Sequence, residues 1–250
     1  MKKKTLLRAA ALAGAMLVPL ALSPGEAAAG DVSDCATVAA CNERGAAAYK
    51  AKNWDEAIGH FENQIGFAEL AEDPKQELVA LNNLVMGHLK KGEPLYARAW
   101  LALARKIDPA DKATVFNGGE VDKAMAALPA RPAIGGFYQC YVGAGHWQSI
   151  DLRKKGKDVY EMTVIALRMG NAWREWGPAG IGELEESLTV SGNKAKFKEK
   201  FPFAEEACEM DLVFAGDDMD AEQISSDVDC GFGNGVAVTG HYYRVNVDYP

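Results

Sequence analysis

The run Leu128-Pro129-Ala130-Arg131-Pro132 divides the chain into two regimes. Two prolines so close together end a helix and stiffen the segment after it. On the N-terminal side, from Cys41 to Leu128, alanine, leucine, lysine and glutamate dominate. Apolar residues there recur at spacings of three and four, the period of an amphipathic helix. On the C-terminal side, from Gly135, valine, tyrosine, phenylalanine and threonine rise and alternation takes over, which is strand patterning. The fold class read from this is α+β. A helical domain covers 30–128, a linker 129–134, and an antiparallel β domain, barrel or sandwich, 135–250.

The helical half repeats itself. Gly45, Tyr49, Trp54, Ala57, Ile58 and Phe61 form one unit, and Leu84, Gly92, Ala97, Leu101, Ala104 and Pro109 a second. Ala57 and Ala97 are the small residues expected where paired helices cross. These units resemble tetratricopeptide repeats, helix-turn-helix modules of about 34 residues. The resemblance implies a concave groove lined by the first helix of each unit. Aligned on Ala57 and Ala97, it places Asn42, Tyr49, Lys50, Asn82, Met86 and Lys90 there as a peptide-binding set. Three features depart from the family: about six extra residues between units, Val85 in place of glycine, and Gln64 in place of a small residue. The stretch Val121-Asp-Lys-Ala-Met-Ala-Ala-Leu128 reads as a capping helix.

Eight strands are expected, over 136–141, 146–152, 158–167, 182–190, 195–198, 208–215, 221–227 and 236–245. Turns are marked by Lys155-Gly156-Lys157, Ser191-Gly192-Asn193 and Gly216-Asp217-Asp218. Such regular spacing suits a sandwich or a small closed barrel. Cys230-Gly-Phe-Gly-Asn-Gly235 followed by Gly240-His-Tyr-Tyr-Arg244 resembles the end of small β domains in uncharacterised exported bacterial proteins. That resemblance implies a fold and no chemistry.

Residues 1–29 read as a signal peptide: Lys2, Lys3, Lys4 and Arg8, then an uncharged run from Ala9 to Leu22, then the small residues Ala27-Ala28-Ala29. The expected location is periplasmic or secreted, with no membrane span once the signal is cleaved. Losing the four cations and Glu26 takes the formal charge from −8 to −11. So acidic a chain does not neutralise phosphates through its overall field, which argues against nucleic acid as a partner.

Five cysteines in an oxidising compartment suggest two structural disulfides. Cys35 and Cys41 close a tight loop at the start of the first repeat. Cys208 and Cys230 are equidistant from Met219, so a hairpin centred there sets them opposite each other. Cys140 is left as the odd thiol.

No metal and no cofactor are expected. The four histidines include no pair at helical ligand spacing, and Asp217, Asp218, Asp220 and Glu222 lack the glycine and distant glutamate of a calcium loop. They read as a solvated turn. Gly231, Gly233 and Gly235 lack the spacing of a nucleotide loop and read as close backbone approaches.

No catalytic residue is assigned. The function expected is a non-enzymatic protein–protein binding or scaffold protein of the cell envelope, taking an acidic or C-terminal segment on Lys50 and Lys90. One alternative is small-molecule binding inside the β domain. Another is a thiol-dependent hydrolase built on Cys140 with His146 or His241.

Overall fold

Short polar side chains start the helices. Thr37, Asp73 and Asp111 each accept a hydrogen bond from the first turn of the helix they cap. Pro74 and Pro94 occupy first-turn positions, where a missing N–H costs nothing. The computed structural model, which describes residues 35–170 and 177–247, contains five helices in its N-terminal half. They are α1 (Val38–Lys50), α2 (Trp54–Leu70), α3 (Pro74–Lys91), α4 (Pro94–Ile107) and α5 (Lys112–Ala126). The expected signal peptide lies outside the described residues.

Loops of two to four residues make consecutive helices antiparallel neighbours. Gly92, with φ +87°, ends α3 in the left-handed region, one residue before Glu93-Pro94 opens α4. Small residues sit at the crossings: Ala57 and Ala97 are fully buried. A Cβ on Gly45 would lie 2.4 Å from the Phe61 ring, so glycine lets α2 close on α1.

The C-terminal half is a closed antiparallel barrel in which each strand pairs with the next and β8 closes on β1. Its strands are β1 (Gly136–Gly143), β2 (His146–Lys154), β3 (Val159–Arg168), β4 (Gly180–Ser191), β5 (Lys194–Glu199), β6 (Cys208–Ala215), β7 (Asp218–Gln223) and β8 (Gly240–Asn246). The interior is filled by side chains, among them Tyr138, Ile150, Leu152, Met162, Leu188, Met210 and Tyr242. Eight strands enclose just enough room for such a core.

Both cysteine pairs are bonded, Cys35–Cys41 and Cys208–Cys230. The reason expected for the second was wrong. The turn lies at Gly216-Asp217, with Ala215 opposite Asp218, so β7 begins three residues earlier than expected. Cys230 sits instead in a 3-10 turn, Val228–Cys230, that folds back over the start of β6. The expected last strand also splits. Residues 236–239 reach β7 through Gln223, whose side chain accepts from Val238 N at 3.2 Å, and only Gly240 onward forms β8. In the glycine run before it, a Cβ on Gly233 would lie 3.1 Å from the Ile181 carbonyl, a close backbone approach.

The helices and the barrel belong to one compact unit. Strands β1, β2 and β8 turn their outer faces to the helices, where Trp147 and Tyr141 pack on Trp100. Tyr243 and Val245 pack near Ala99, with Phe137 and Tyr96 alongside. At the end of α2, Glu69 grips the β1–β2 turn, accepting from Tyr141 OH and from Ala144 N, each at 2.5 Å. Gly145, with φ +78°, sits so close to α2 that a Cβ would lie 2.6 Å from the Glu62 carbonyl oxygen.

The acidic turn is not the solvated loop expected. The Asp217 side chain is 14% exposed and takes Arg131 from residues 129–134 and Arg244 from β8. Burial raises its carboxyl, but the hydrogen bonds and charges of the two guanidinium groups outweigh this and hold it below the usual range. Asp218 binds Arg98 of α4 at 2.8 Å, and Asp220 pairs with His241 at 2.7 Å. Arg244 also donates to the carbonyls of Pro132 and Gly135. The expected linker is therefore pinned to the rim of the barrel.

Candidate functional site: a cavity between helices and barrel

Where α2, α3 and α4 face β1 and β2, the two layers leave a cavity of about 280 Å³. Its walls are Ile58 and Glu62 from α2, His88 and Lys91 from α3, Glu93, Tyr96 and Trp100, and Gln139 and Trp147 from the barrel. Helical spacing puts Ile58 and Glu62 on one face of α2, and Tyr96 and Trp100 on one face of α4. Strand alternation turns Gln139 outward between inward-facing Tyr138 and Cys140.

Several polar atoms here have no partner among the described residues. His88 Nε2, Trp100 Nε1 and Gln139 Oε1 are all buried without a hydrogen bond. Such atoms cost about 1–3 kcal/mol each unless something fills the space and bonds to them.

His88 is held from behind, its Nδ1 2.8 Å from Glu93 Oε2, and its ring stacks on Tyr96 at 5.0 Å. The ring nitrogen Nε2, away from Glu93, is the one left without a partner among the described residues. Lys91 is spoken for by Asp55 and Glu93, each at 2.8 Å. For Glu93 the effect of burial is outweighed by the bonds from His88 and Lys91, which keep its carboxyl low. Glu62 is different. Burial pushes its carboxyl up to about 7, against the opposing charge of Lys91.

None of the six residues expected in the helical groove lines this cavity. Asn42 accepts from Asn83 Nδ2 at 3.0 Å, and Tyr49 packs edge-on against Trp54. Asn82 is 7% exposed and ties α3 to α5 through Thr114 Oγ1 at 3.1 Å and Asn117 Nδ2 at 2.8 Å. Its side chain is thus engaged inside the helical layer. Met86 is half-buried, while Lys50 and Lys90 are exposed at the last turns of α1 and α3.

Cys140 points into the barrel core, where a Cβ on Gly240 would lie 2.6 Å from its sulfur. Burial pushes its thiol up, so it is kept as the neutral, unreactive form. Among the described residues no cluster of three or more candidate metal ligands occurs, and no helix is long and apolar enough to cross a membrane.

A neighbouring hollow of about 260 Å³, between Pro94 and Tyr96 on one side and Pro129, Arg131 and Val245 on the other, is lined by none of the unpartnered atoms named above. Glu93, Arg131 and Asn246 are among its polar lining residues.

The residues that make the cavity escaped the sequence reading because they come from five separate elements. One signal was present: Phe-Tyr-Gln-Cys-Tyr over 137–141 does not alternate, as expected for a strand buried on both faces. No protein-family model matches the chain, and neither curated proteins nor solved structures give a match.

Proposed function

We propose that this chain is an exported, non-catalytic binding protein that takes a small molecule in the cavity between its helical layer and its barrel. The observation that carries the reading is that His88, Trp100 and Gln139, each with a buried side-chain atom unpartnered among the described residues (Nε2, Nε1 and Oε1), all line one cleft between the two layers. Its wall is polar and apolar in about equal parts, with polar groups supplied by both layers around Trp100 and Trp147. Export is supported by the two disulfides, which persist in oxidising compartments. The barrel interior is the poorer candidate, because its own side chains occupy it.

The test is a ligand-detected NMR screen of small polar metabolites, read together with the fluorescence of Trp100 and Trp147. The expected result is at least one saturable ligand whose binding is lost in Ile58→Phe, which fills the cavity and leaves the helical circular dichroism unchanged. Binding that survives this variant, or no ligand at all, overturns the reading.

A second reading has one observation behind it. Lys50 and Lys90 are exposed cations on an acidic chain, at the ends of paired helices. With tetratricopeptide-like repeats, that face would capture an acidic or C-terminal peptide. Exchange of both lysines for glutamate should then abolish capture of a C-terminal peptide ending in acidic residues. Unchanged capture removes this reading.

A further inference from the structure

The unpartnered groups of the cavity form a template from which the chemistry of its occupant can be worked out. Gln139 Oε1 offers a carbonyl, Glu62 offers a carboxyl group, and His88 Nε2 accepts or donates with its tautomer. Trp100 Nε1 offers a proton. Gln139 Oε1 and an ionised Glu62 call for a ligand with N–H or O–H donors, and Trp100 Nε1 for one acceptor on the ligand.

Charge points the same way. Among the described residues, the carboxyl groups at or beside the cavity are Asp55, Glu62 and Glu93, and the one ammonium is Lys91, already bonded to Asp55 and Glu93. An incoming anion would meet Glu62, Glu93 and a lysine already bonded to Asp55 and Glu93, whereas a cation would meet an excess of carboxyl groups, Glu62 among them. Trp100 and Trp147, with ring centres 4.7 Å apart in a nearly perpendicular edge-to-face pair, form the aromatic wall of the cavity. At about 30 Å³ per water the cavity has room for roughly nine waters, which suits a ligand group of about ten non-hydrogen atoms.

We propose that the cavity binds a small organic cation, a primary amine or guanidine bearing a hydroxyl or carbonyl group, with its charged end at Glu62 and its oxygen at Trp100 Nε1. This rests on the reading of the cavity as a ligand site.

A proton should leave as the cation arrives. Glu62 holds its proton to about pH 7 in the unliganded protein, and a positive charge beside it favours the ionised form. The groups facing it are Lys91 and His88 from α3, Glu93 from the α3–α4 turn and Tyr96 from α4. The barrel contributes only uncharged Gln139 and Trp147. Affinity should therefore fall about tenfold from pH 8 to pH 6, the ratio of ionised Glu62 at those two values.

The experiment is calorimetric titration of the purified chain with three probes of matched length: cationic aminopentanol, neutral pentanediol and anionic hydroxypentanoate. The expected result is saturable binding of aminopentanol alone, about tenfold weaker at pH 6 than at pH 8. The heat should depend on the buffer's ionisation enthalpy at pH 7, and the buffer dependence should vanish in Glu62→Gln. Binding of pentanediol or hydroxypentanoate in place of aminopentanol overturns the cation assignment and leaves the cavity as a ligand site. Aminopentanol binding that is indifferent to both Glu62→Gln and Ile58→Phe places the cation elsewhere and overturns the proposal. Failure of all three probes overturns it too, and the metabolite screen then decides separately whether the cavity binds anything.

Discussion

Replacing Glu62 by glutamine should make stability less dependent on pH, in a direction that the structure fixes. The carboxyl titrates near 4.5 when the chain is unfolded and near 7 in the folded protein, raised first by burial and then held back by Lys91. A raised carboxyl binds its proton more tightly in the folded state. Its contribution is therefore most favourable below pH 4.5, declines as the unfolded chain ionises between 4.5 and 7, and reaches its full cost above 7. At about 1.36 kcal/mol per pH unit, that cost is about 3 kcal/mol. It is an upper figure, because water reaches the side chain from the cavity. Glutamine cannot ionise, so Glu62→Gln should gain up to about 3 kcal/mol on the wild type between pH 4.5 and pH 8. Urea unfolding of both proteins at pH 4.5, 6 and 8 measures the difference, and its change with pH removes any constant packing effect. A difference that stays flat across this range would refute the reasoning about Glu62.

Four further outcomes are expected. Loss of the Cys208–Cys230 bond, which closes a loop with a sequence separation of 22, should cost about 3 kcal/mol in urea unfolding. Asp217→Ala leaves Arg244, whose side chain is 3% exposed, without its charge partner and should cost about 3–5 kcal/mol. Removing Asp211 from the exposed Lys196 pair should cost less than about 1 kcal/mol, and equal effects of the two would contradict the burial argument. Cys140 should resist iodoacetamide at pH 8 in the folded protein and react on addition of denaturant. Prompt labelling of the native protein would revive it as a nucleophile.

Much of the architecture was legible because it is written in local patterns. The helical and strand periods, the caps and the turns at Gly156, Gly192 and Gly216 each depend on a few adjacent residues. What was not legible depends on distant ones. The hairpin was centred at Met219 to bring Cys208 and Cys230 together, yet the turn at Gly216-Asp217 sets the register, and the 3-10 turn delivers Cys230 by another route. Asp217 reads as a loop acid until Arg131 and Arg244, far along the chain, arrive beside it. The candidate site was hidden for the same reason. His88 and Trp100 look like ordinary core positions on their helices, and only the docking of Gln139 and Trp147 turns them into the wall of a cavity.

The aromatic outer face of β1, β2 and β8 also bears on modularity. In most barrels such a face meets water and the barrel can be moved between proteins. Here Phe137, Tyr141, Trp147 and Tyr243 are covered by α2 and α4, and the β1–β2 turn is shaped by contact with Glu69 and the backbone of Glu62. Cut at Pro129, the barrel would keep its filled interior but uncover this patch, the kind of apolar surface that drives self-association. The helical layer therefore shields an apolar face that the barrel alone would expose, and the two halves are built to be kept together.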